Sequence, residues 1–309
     1  MMRSMYFGTK RKMRWVKVDA PGRAQTSNGF SERLDFTNGG VAIRESVNGH
    51  QEYTLTWNSM TREQARQVTD YAYGIYGSDP IYFVDPIAAD QNLLNPAWSA
   101  PGITAKDGVP LAGNKRPKIV YNSDMSLDYP YEMARYDLTT TDKSRSFYIP
   151  IPPGHTAVIG VHGDILSTLG VQVQPTMAGI VSGAATIVPV SPVSTRERFS
   201  HAFASAGDQS GIEISLEIGN GYSTIAGMMV QVLPSGIVPT DGVGYGIGGY
   251  GEDPYGGGFA IPSLGGFILG QGASGCTIEG KPRAVPYHLT NRHDRVGLAI
   301  KLTETEDFQ

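Results

Sequence analysis

The chain has 309 residues, enough for two modest domains or one large β domain with an attachment. Lys and Arg number 25 against 29 Asp and Glu, and this net charge of −4 supplies no long-range pull toward nucleic acid, so no nucleic-acid sequence readout is expected. Glycine (39) and proline (20) disfavour long helices and point to many short strands and turns, while 40% apolar residues is too many for a disordered chain.

The N-terminal 50 residues read as β hairpins. Met13 and Trp15 share one strand face, whereas Val16 and Val18 follow on the opposite parity, which calls for a bulge or for burial on both sides. The basic run Lys10-Arg11-Lys12 with Arg14 reads most simply as a solvated strand end. Leu34 and Phe36 lead into Asn38-Gly39, and Val41, Ile43 and Val47 lead into Asn48-Gly49. Both Asn-Gly steps are hairpin signals, because Asn and Gly tolerate the positive φ of the tight turns that match strand twist.

Tyr53, Leu55 and Trp57 alternate with threonines as in a half-buried strand. Thr61 is placed to cap a helix, with Gln64 three residues on to complete a capping box. Ala65, Val68, Ala72 and Ile75 then recur at helical spacing and predict a helix over 61–76 with that face inward. Gly74, Gly77 and Ser78-Asp79-Pro80 stop it, and Ile81 to Val84 reads as a buried strand ended by Asp85-Pro86.

Residues 87–118 read as an irregular connector, pinned to a domain surface by Leu93, Leu94 and Trp98. A second β-rich block spans 119–233. In it Val171 and Val173 alternate with glutamines, and Ile212, Ile214, Leu216 and Ile218 alternate with polar residues, giving one dry and one wet face. Gly219-Asn220-Gly221 is expected to turn the chain into a partner strand ending at Val232. Residues 236–275 form a Gly/Tyr-rich insert, and Val296, Leu298, Ile300 and Leu302 predict a final strand that returns to the second sheet.

Chemistry-bearing patterns are sparse. Gly244-x-Gly246-x-x-Gly249 matches a dinucleotide-binding spacing, but no buried strand precedes it and no helix opens after it, so it reads as chance in a glycine-rich stretch. Cys276 is the single cysteine, which excludes an internal disulfide, and it reads as an inert buried thiol. His288 and His293 lie in a turn-like stretch without a second ligand cluster, so no metal and no cofactor is expected. Asp124, Asp128 and Glu132 lie among Tyr129, Tyr131 and Tyr136. They fit loop residues of a sandwich, a sugar-stacking rim built on the three tyrosines, or a glycosidase carboxylate pair. Tyr245, Tyr250, Tyr255, Phe259 and Phe267 in the insert have no evident core to join and suit either a protein–protein contact or a surface loop.

No apolar run follows the N-terminal basic residues, so no signal peptide is expected. The uncharged stretch 171–195 is broken by Pro175, Pro189 and Pro192, so membrane insertion is not expected either.

Five stretches carry a family resemblance: 54–57 (Thr-Leu-Thr-Trp), 72–86 (from Ala72-Tyr73-Gly74 to Asp85-Pro86), 92–96 (Asn-Leu-Leu-Asn-Pro), 270–276 (Gly-Gln-Gly-Ala-Ser-Gly-Cys), and 294–298 running into 303–305. Together they make the chain resemble the minor tail and distal tail proteins of long-tailed, siphovirus-type phages of actinobacteria. The resemblance implies an N-terminal β domain that forms a ring, often a hexamer, continuing the tail tube. It also implies a galectin-like or carbohydrate-module-like sandwich projecting outward. The implied partners are further copies of the chain, the tail tube protein, the tail-tip hub protein and other minor tail proteins. The implied place is the virion tail tip, after assembly in the host cytoplasm. No catalytic residue carries over, and the Gly/Tyr-rich insert departs from the family pattern.

The expected fold is therefore mainly β. A sandwich-like ring domain with one helix (1–90) is followed by an ordered connector (91–118) and a galectin-like or jelly-roll sandwich (119–309, insert 236–275). The interface residues expected are Asn38, Gly39, Asn48 and Gly49, free to reach neighbouring copies, together with the aromatic residues of the insert. The competing reading is a tail-tip protein that holds host cell-wall polysaccharide through Tyr129, Tyr131 and Tyr136. A hydrolase using Asp124, Asp128 or Glu132 is a third.

Overall fold

The computed structural model describes residues 4–16, 22–27, 31–35, 41–45, 51–99, 118–120, 133–138, 146–165, 169–177, 180–181, 186–190, 199–204, 210–218, 221–235, 269–273, 275–286 and 295–305. The fold is mainly β, with several antiparallel sheets and one helix longer than two turns among these residues.

The chain opens with β1 (Met5–Thr9) and β2 (Lys12–Val16), which pair as a hairpin. Next come β3 (Gly22–Ser27), β4 (Ser31–Asp35), β5 (Val41–Glu45) and β6 (Gln51–Thr61). Helix α1 (Arg62–Ala72) and β7 (Ile81–Val84) follow, then two short helices, α2 (Pro86–Gln91) and α3 (Pro96–Ser99). The middle of the chain supplies β8 (Lys118–Val120), β9 (Met133–Leu138), β10 (Phe147–Pro150), β11 (His155–Ile165) and β12 (Leu169–Met177). It continues through β13 (Ile180–Val181), β14 (Thr186–Val190), β15 (Phe199–Ala204), β16 (Gly211–Ile218) and β17 (Gly221–Pro234). The chain closes with β18 (Cys276–Glu279), β19 (Val285–Pro286) and β20 (Arg295–Glu304).

The largest sheet has the order β2-β1-β7-β18-β20-β6-β3, with β19 added beside β20. Its inner face is closed by α1. Met5, Phe7, Tyr53, Leu55, Trp57, Ile81, Phe83, Cys276, Leu298, Ile300 and Leu302 meet Ala65, Val68 and Tyr71 in one buried cluster. The strand and helix signals of the sequence are realised here. Thr61 accepts from the Gln64 backbone N–H at 3.1 Å while the Gln64 side chain accepts from the Thr61 N–H at 2.9 Å, a complete capping box. The phase change in β2 is burial on both sides. Val16 belongs to the cluster under α1, while Met13 and Trp15 pack against a second cluster on the opposite face.

That second cluster lies between two five-stranded sheets, β10-β16-β12-β13 with β14 beside β12, and β15-β11-β17-β9-β8. Phe147, Ile149, Ile212 and Ile214 from one meet Ala157, Ile159, Met228, Val230 and Val232 from the other. Most occupy alternate positions along their strands, as a sheet with one face on a core requires.

Five expectations are corrected. The final strand does not return to the second sheet: β20 pairs with β6 from Thr303↔Glu52 to Arg295↔Thr61 and with β18, at the centre of the first sheet. Alternation specifies a buried face but not which sheet supplies the edge. The turn 219–221 does not make a hairpin either, since β16 and β17 lie in different sheets. The connector is not wholly irregular. Asp85-Pro86 and Asn95-Pro96 each begin a short helix, and Asn95 Oδ1 accepts from the Trp98 N–H at 2.9 Å. A capping residue followed by proline at the first helical position is a signal that the sequence reading passed over. Helix α1 ends at Ala72, and Tyr71 fills the inward position assigned to later residues. Gly74, at φ 68°, donates to the Tyr71 carbonyl and Ile75 donates to the Asp70 carbonyl, both at 3.0 Å. This pair of bonds terminates the helix and turns Ile75 outward. Finally, β5 and β6 do not pair across Asn48-Gly49, because β6 takes β3 as its partner.

Candidate assembly surface

The two ends of the chain meet in the first sheet, and the connector fastens them to the middle of the chain. Among the described residues, β17 pairs with β9 only over Gly221–Ile225, which leaves its edge near Met228–Val230 without a strand partner on that side. Asn92 fills that edge. Its Nδ2 donates to the Met228 carbonyl and to Ser99 Oγ, each at 3.0 Å. Its Oδ1 accepts from the Val230 and Leu94 N–H groups, each at 3.1 Å. The side-chain amide thus imitates a peptide group and uses both donors and both acceptor sites while fully buried. Leu93, Leu94 and Trp98 are buried beside it.

The returning chain lies along the same segment. Gln271 N–H donates to the Asn92 carbonyl and Gly272 N–H to the Leu94 carbonyl, each at 3.0 Å, and Gly270 N–H donates to Ser99 Oγ at 2.8 Å. The Tyr53 hydroxyl donates to the Gly272 carbonyl at 3.2 Å. Gly270 and Gly272 are required by this approach, since a Cβ at either would overlap the carbonyls of Leu94 or Leu93.

A second joint lies at the β1–β2 turn. Lys10 Nζ is 3.3 Å from Glu213 Oε1 and sits over the rings of Tyr82 and Tyr148, 5.4 and 5.3 Å from their centroids. Ser210 Oγ donates to the Lys10 carbonyl at 3.2 Å, and the Tyr148 hydroxyl donates to Ser210 Oγ at 3.1 Å. Burial pushes the Tyr148 hydroxyl well above its ordinary pKa and raises that of Tyr6 to about 12. Trp15 lies 5.3 Å from the Tyr6 ring and 5.7 Å from that of His155.

The outer face of the first sheet carries Glu52, Glu279 and Lys301, with Lys301 Nζ 2.8 Å from Glu52 and 3.1 Å from Glu279. A hydrogen bond from Thr303 and the Lys301 ammonium hold Glu279 below the usual carboxylate range. Glu52 and Glu279 in turn raise Lys301. On the helix side, residues 73–80 form the loop between α1 and β7. Tyr73 is 55% and Ile75 65% exposed, whereas Tyr76 packs 4.7 Å from Tyr71 under the Arg14 guanidinium. Arg11 pairs with Asp79 at 2.9 Å, and Lys281 lies 5.9 Å over Tyr73.

Between β3 and β6 in the chain, β4 and β5 form a separate two-stranded ribbon. β3 pairs with β6, and beyond them β4 pairs only with β5 among the described residues, from Ser31↔Glu45 to Asp35↔Val41. Asn38, Gly39, Asn48 and Gly49 lie outside the described residues. So do Tyr129, Tyr131, Tyr245, Tyr250, Tyr255, Phe259 and Phe267, and also Asp124, Asp128, Glu132, His288 and His293. Tyr136 lies in β9 opposite Ser223. Cys276 is buried as expected, paired with Ile81 and Glu304. Among the described residues no three His, Cys, Asp or Glu side chains gather as a metal site would need, and no helix is long and apolar enough to cross a membrane.

No family model matches the chain, and no curated protein does. Among solved structures, the crystal structure of the enzymatically active domain of bacteriophage CBA120 tailspike protein 4 is similar with a TM-score of 0.36 and 11% identity. The match covers 46% of this chain and 21% of that one, so this chain spans about a fifth of that structure's length.

Proposed function

We propose that this chain is a structural subunit of a phage tail tip, the distal tail protein whose ring joins the tail tube to the tip proteins. One observation carries the reading. The stretches that resemble the tail-protein family, separated by as much as 240 or so residues in the chain, come together in one body. Thr54-Leu55-Thr56-Trp57 lies in β6 against β20, Ile81 pairs with Cys276, and Asn92 to Leu94 lie against Gly270 to Gly272. Scattered chance matches would have no reason to fold into contact. The body they form is the one that carries the ribbon.

The ribbon supports a ring in particular. A two-stranded hairpin is marginal in water on its own, so β4–β5 needs a surface to lie on. A copy that offers a ribbon and accepts one elsewhere makes a heterologous contact, the kind that closes into a ring when the rotation between copies divides a full turn and otherwise builds a filament. A hexamer is the order the resemblance favours. The middle sheets would then project outward, toward other minor tail proteins or host surface glycan.

Negative-stain images and native mass spectrometry of the purified full chain test this. Rings with a central hole, or a single closed oligomer, are expected. A chain that stays monomeric with its tail partners present and binds cell-wall polysaccharide saturably would replace this reading with that of a carbohydrate-binding tail-tip protein.

A further inference from the structure

Resting on the ring reading, we infer that copies of this chain are joined by strand exchange: the β18–β20 piece of each copy fills the slot between β6 and β7 of the next. Among the described residues β6 and β7 do not pair with each other. The slot between them is filled by β20, which lies against β6 from Thr303↔Glu52 to Arg295↔Thr61, and by β18, whose Cys276 meets Ile81 of β7. Without that piece the N-terminal strands are two part-sheets, β2-β1-β7 and β6-β3, each with a bare inner edge and joined by the packing of α1. A bare edge is a template for a strand of its own chain or of another.

The length of chain that leads to the piece points to the neighbour as its acceptor. Residues 236–268, 33 in number, connect Ser235 to Leu269. The strands on either side of them are anchored at one residue: the Val230 N–H donates to Asn92 Oδ1 and the Gln271 N–H to the Asn92 carbonyl. At a strand rise of about 3.3 Å per residue, Ser235 and Leu269 are then within roughly 30 Å of each other, a gap that about ten residues close. Thirty-three residues reach up to roughly 110 Å. That is enough to carry the piece across a seven-strand sheet roughly 34 Å wide and onto the adjoining copy. Closure entropy grows with the length of the connection, so the excess weakens the preference of the piece for its own slot. What is exchanged is core. Val296, Leu298, Ile300, Leu302 and Cys276 are buried under α1, and the N–H groups of Gly270 to Gly272 bond to the Asn92–Ser99 segment. These contacts are the same within a copy or between copies, so the neighbour needs no new complementary surface. Each copy gives a piece at one place and receives one at another, which is a head-to-tail contact.

Cross-linking and a change of connection length, both in the full chain, decide it. Thr56→Cys with Ala299→Cys puts thiols at facing positions of β6 and β20, while the native Cys276 is buried. After assembly and oxidation, a non-reducing denaturing gel should show a ladder of linked copies. A mixture of the two single variants should give a linked dimer that neither gives alone. Deleting residues 240–261 leaves 11 residues between Ser235 and Leu269, long enough to serve the chain's own slot and too short for the next copy. This variant should be a folded monomer by circular dichroism and native mass spectrometry, whereas a Gly/Ser stretch of equal length in place of 240–261 should keep the rings. Suppose wild type forms rings. An oxidised double variant that runs only as a monomer with its link inside the chain, rings that survive the deletion, or rings lost with the Gly/Ser stretch as well would each overturn strand exchange and leave the ring reading standing. If wild type never assembles, both fall.

Discussion

At the scale of single residues, Asn92 does more than any other described side chain to hold the chain's entry and exit together. It sits where an open strand edge, a short helix and the returning chain meet; its side-chain amide serves the first two, and its backbone carbonyl accepts from Gln271 of the third. Replacement by alanine leaves the Met228 carbonyl and the Val230 N–H buried and unpaired. A loss of about 2–4 kcal/mol is expected from the net bonds and stranded groups together, read from urea denaturation midpoints. Asn92→Asp tests the geometry separately. It keeps the acceptors but converts the donors to a buried charge, so it should cost at least as much as alanine. Full recovery by aspartate would show that the Nδ2 donors do not matter. The Asn92 motif was visible in the sequence only as part of a family pattern, because its partners lie 136 and 138 residues away.

At the scale of elements, local signals and their outcomes agree wherever the stabilising groups are neighbours in the chain. The capping box at Thr61 and Gln64 needs only four consecutive residues, and it forms as the spacing predicts. Thr61→Ala removes one half of it and should destabilise the protein by about 1 kcal/mol. Gln64→Ala should cost less, since the Thr61 hydroxyl would still cap the helix. Thermal unfolding of the two variants, with the order reversed, would count against this assignment. The helix end shows the opposite case. Ala72 and Ile75 carry the apolar period onward, but Gly74 at positive φ stops the helix, so the pattern continues past the element it describes. Strand pairing was legible in the same partial way. Asn38-Gly39 lies between strands that do pair, whereas Asn48-Gly49 separates strands that take other partners. An Asn-Gly step permits a tight turn but does not choose what pairs across it.

At the scale of the whole molecule, the first sheet is assembled from both ends of the chain, with the middle sheets joined between. Val296, Leu298, Ile300 and Leu302 of β20 are buried in the cluster beneath α1. Each such side chain contributes about 1.5–3 kcal/mol, so together they rival the roughly 5–15 kcal/mol net stability of an ordinary domain. Deleting residues 295–309 should therefore unfold the N-terminal unit and not only the unit nearest in sequence. Hydrogen exchange or limited proteolysis of the deleted chain reads this out as lost protection in β1, β6 and α1. Protection that remained in those elements would mean that the N-terminal unit is complete without its last strand.

The amino-acid sequence by itself determined a mainly β chain, one capped amphipathic helix, a buried thiol, and the alternation that says which side of β20 faces a core. Those are short-range matters, settled by residue type and spacing within a few positions. Only the tertiary structure decided that β20 lies between β6 and β18, that the connector lines the edge of β17, and that Tyr73 and Ile75 after α1 are left exposed. Apolar alternation fixes a face, whereas partner, register and cover depend on which distant surfaces are complementary, and that information is spread over both ends of the chain.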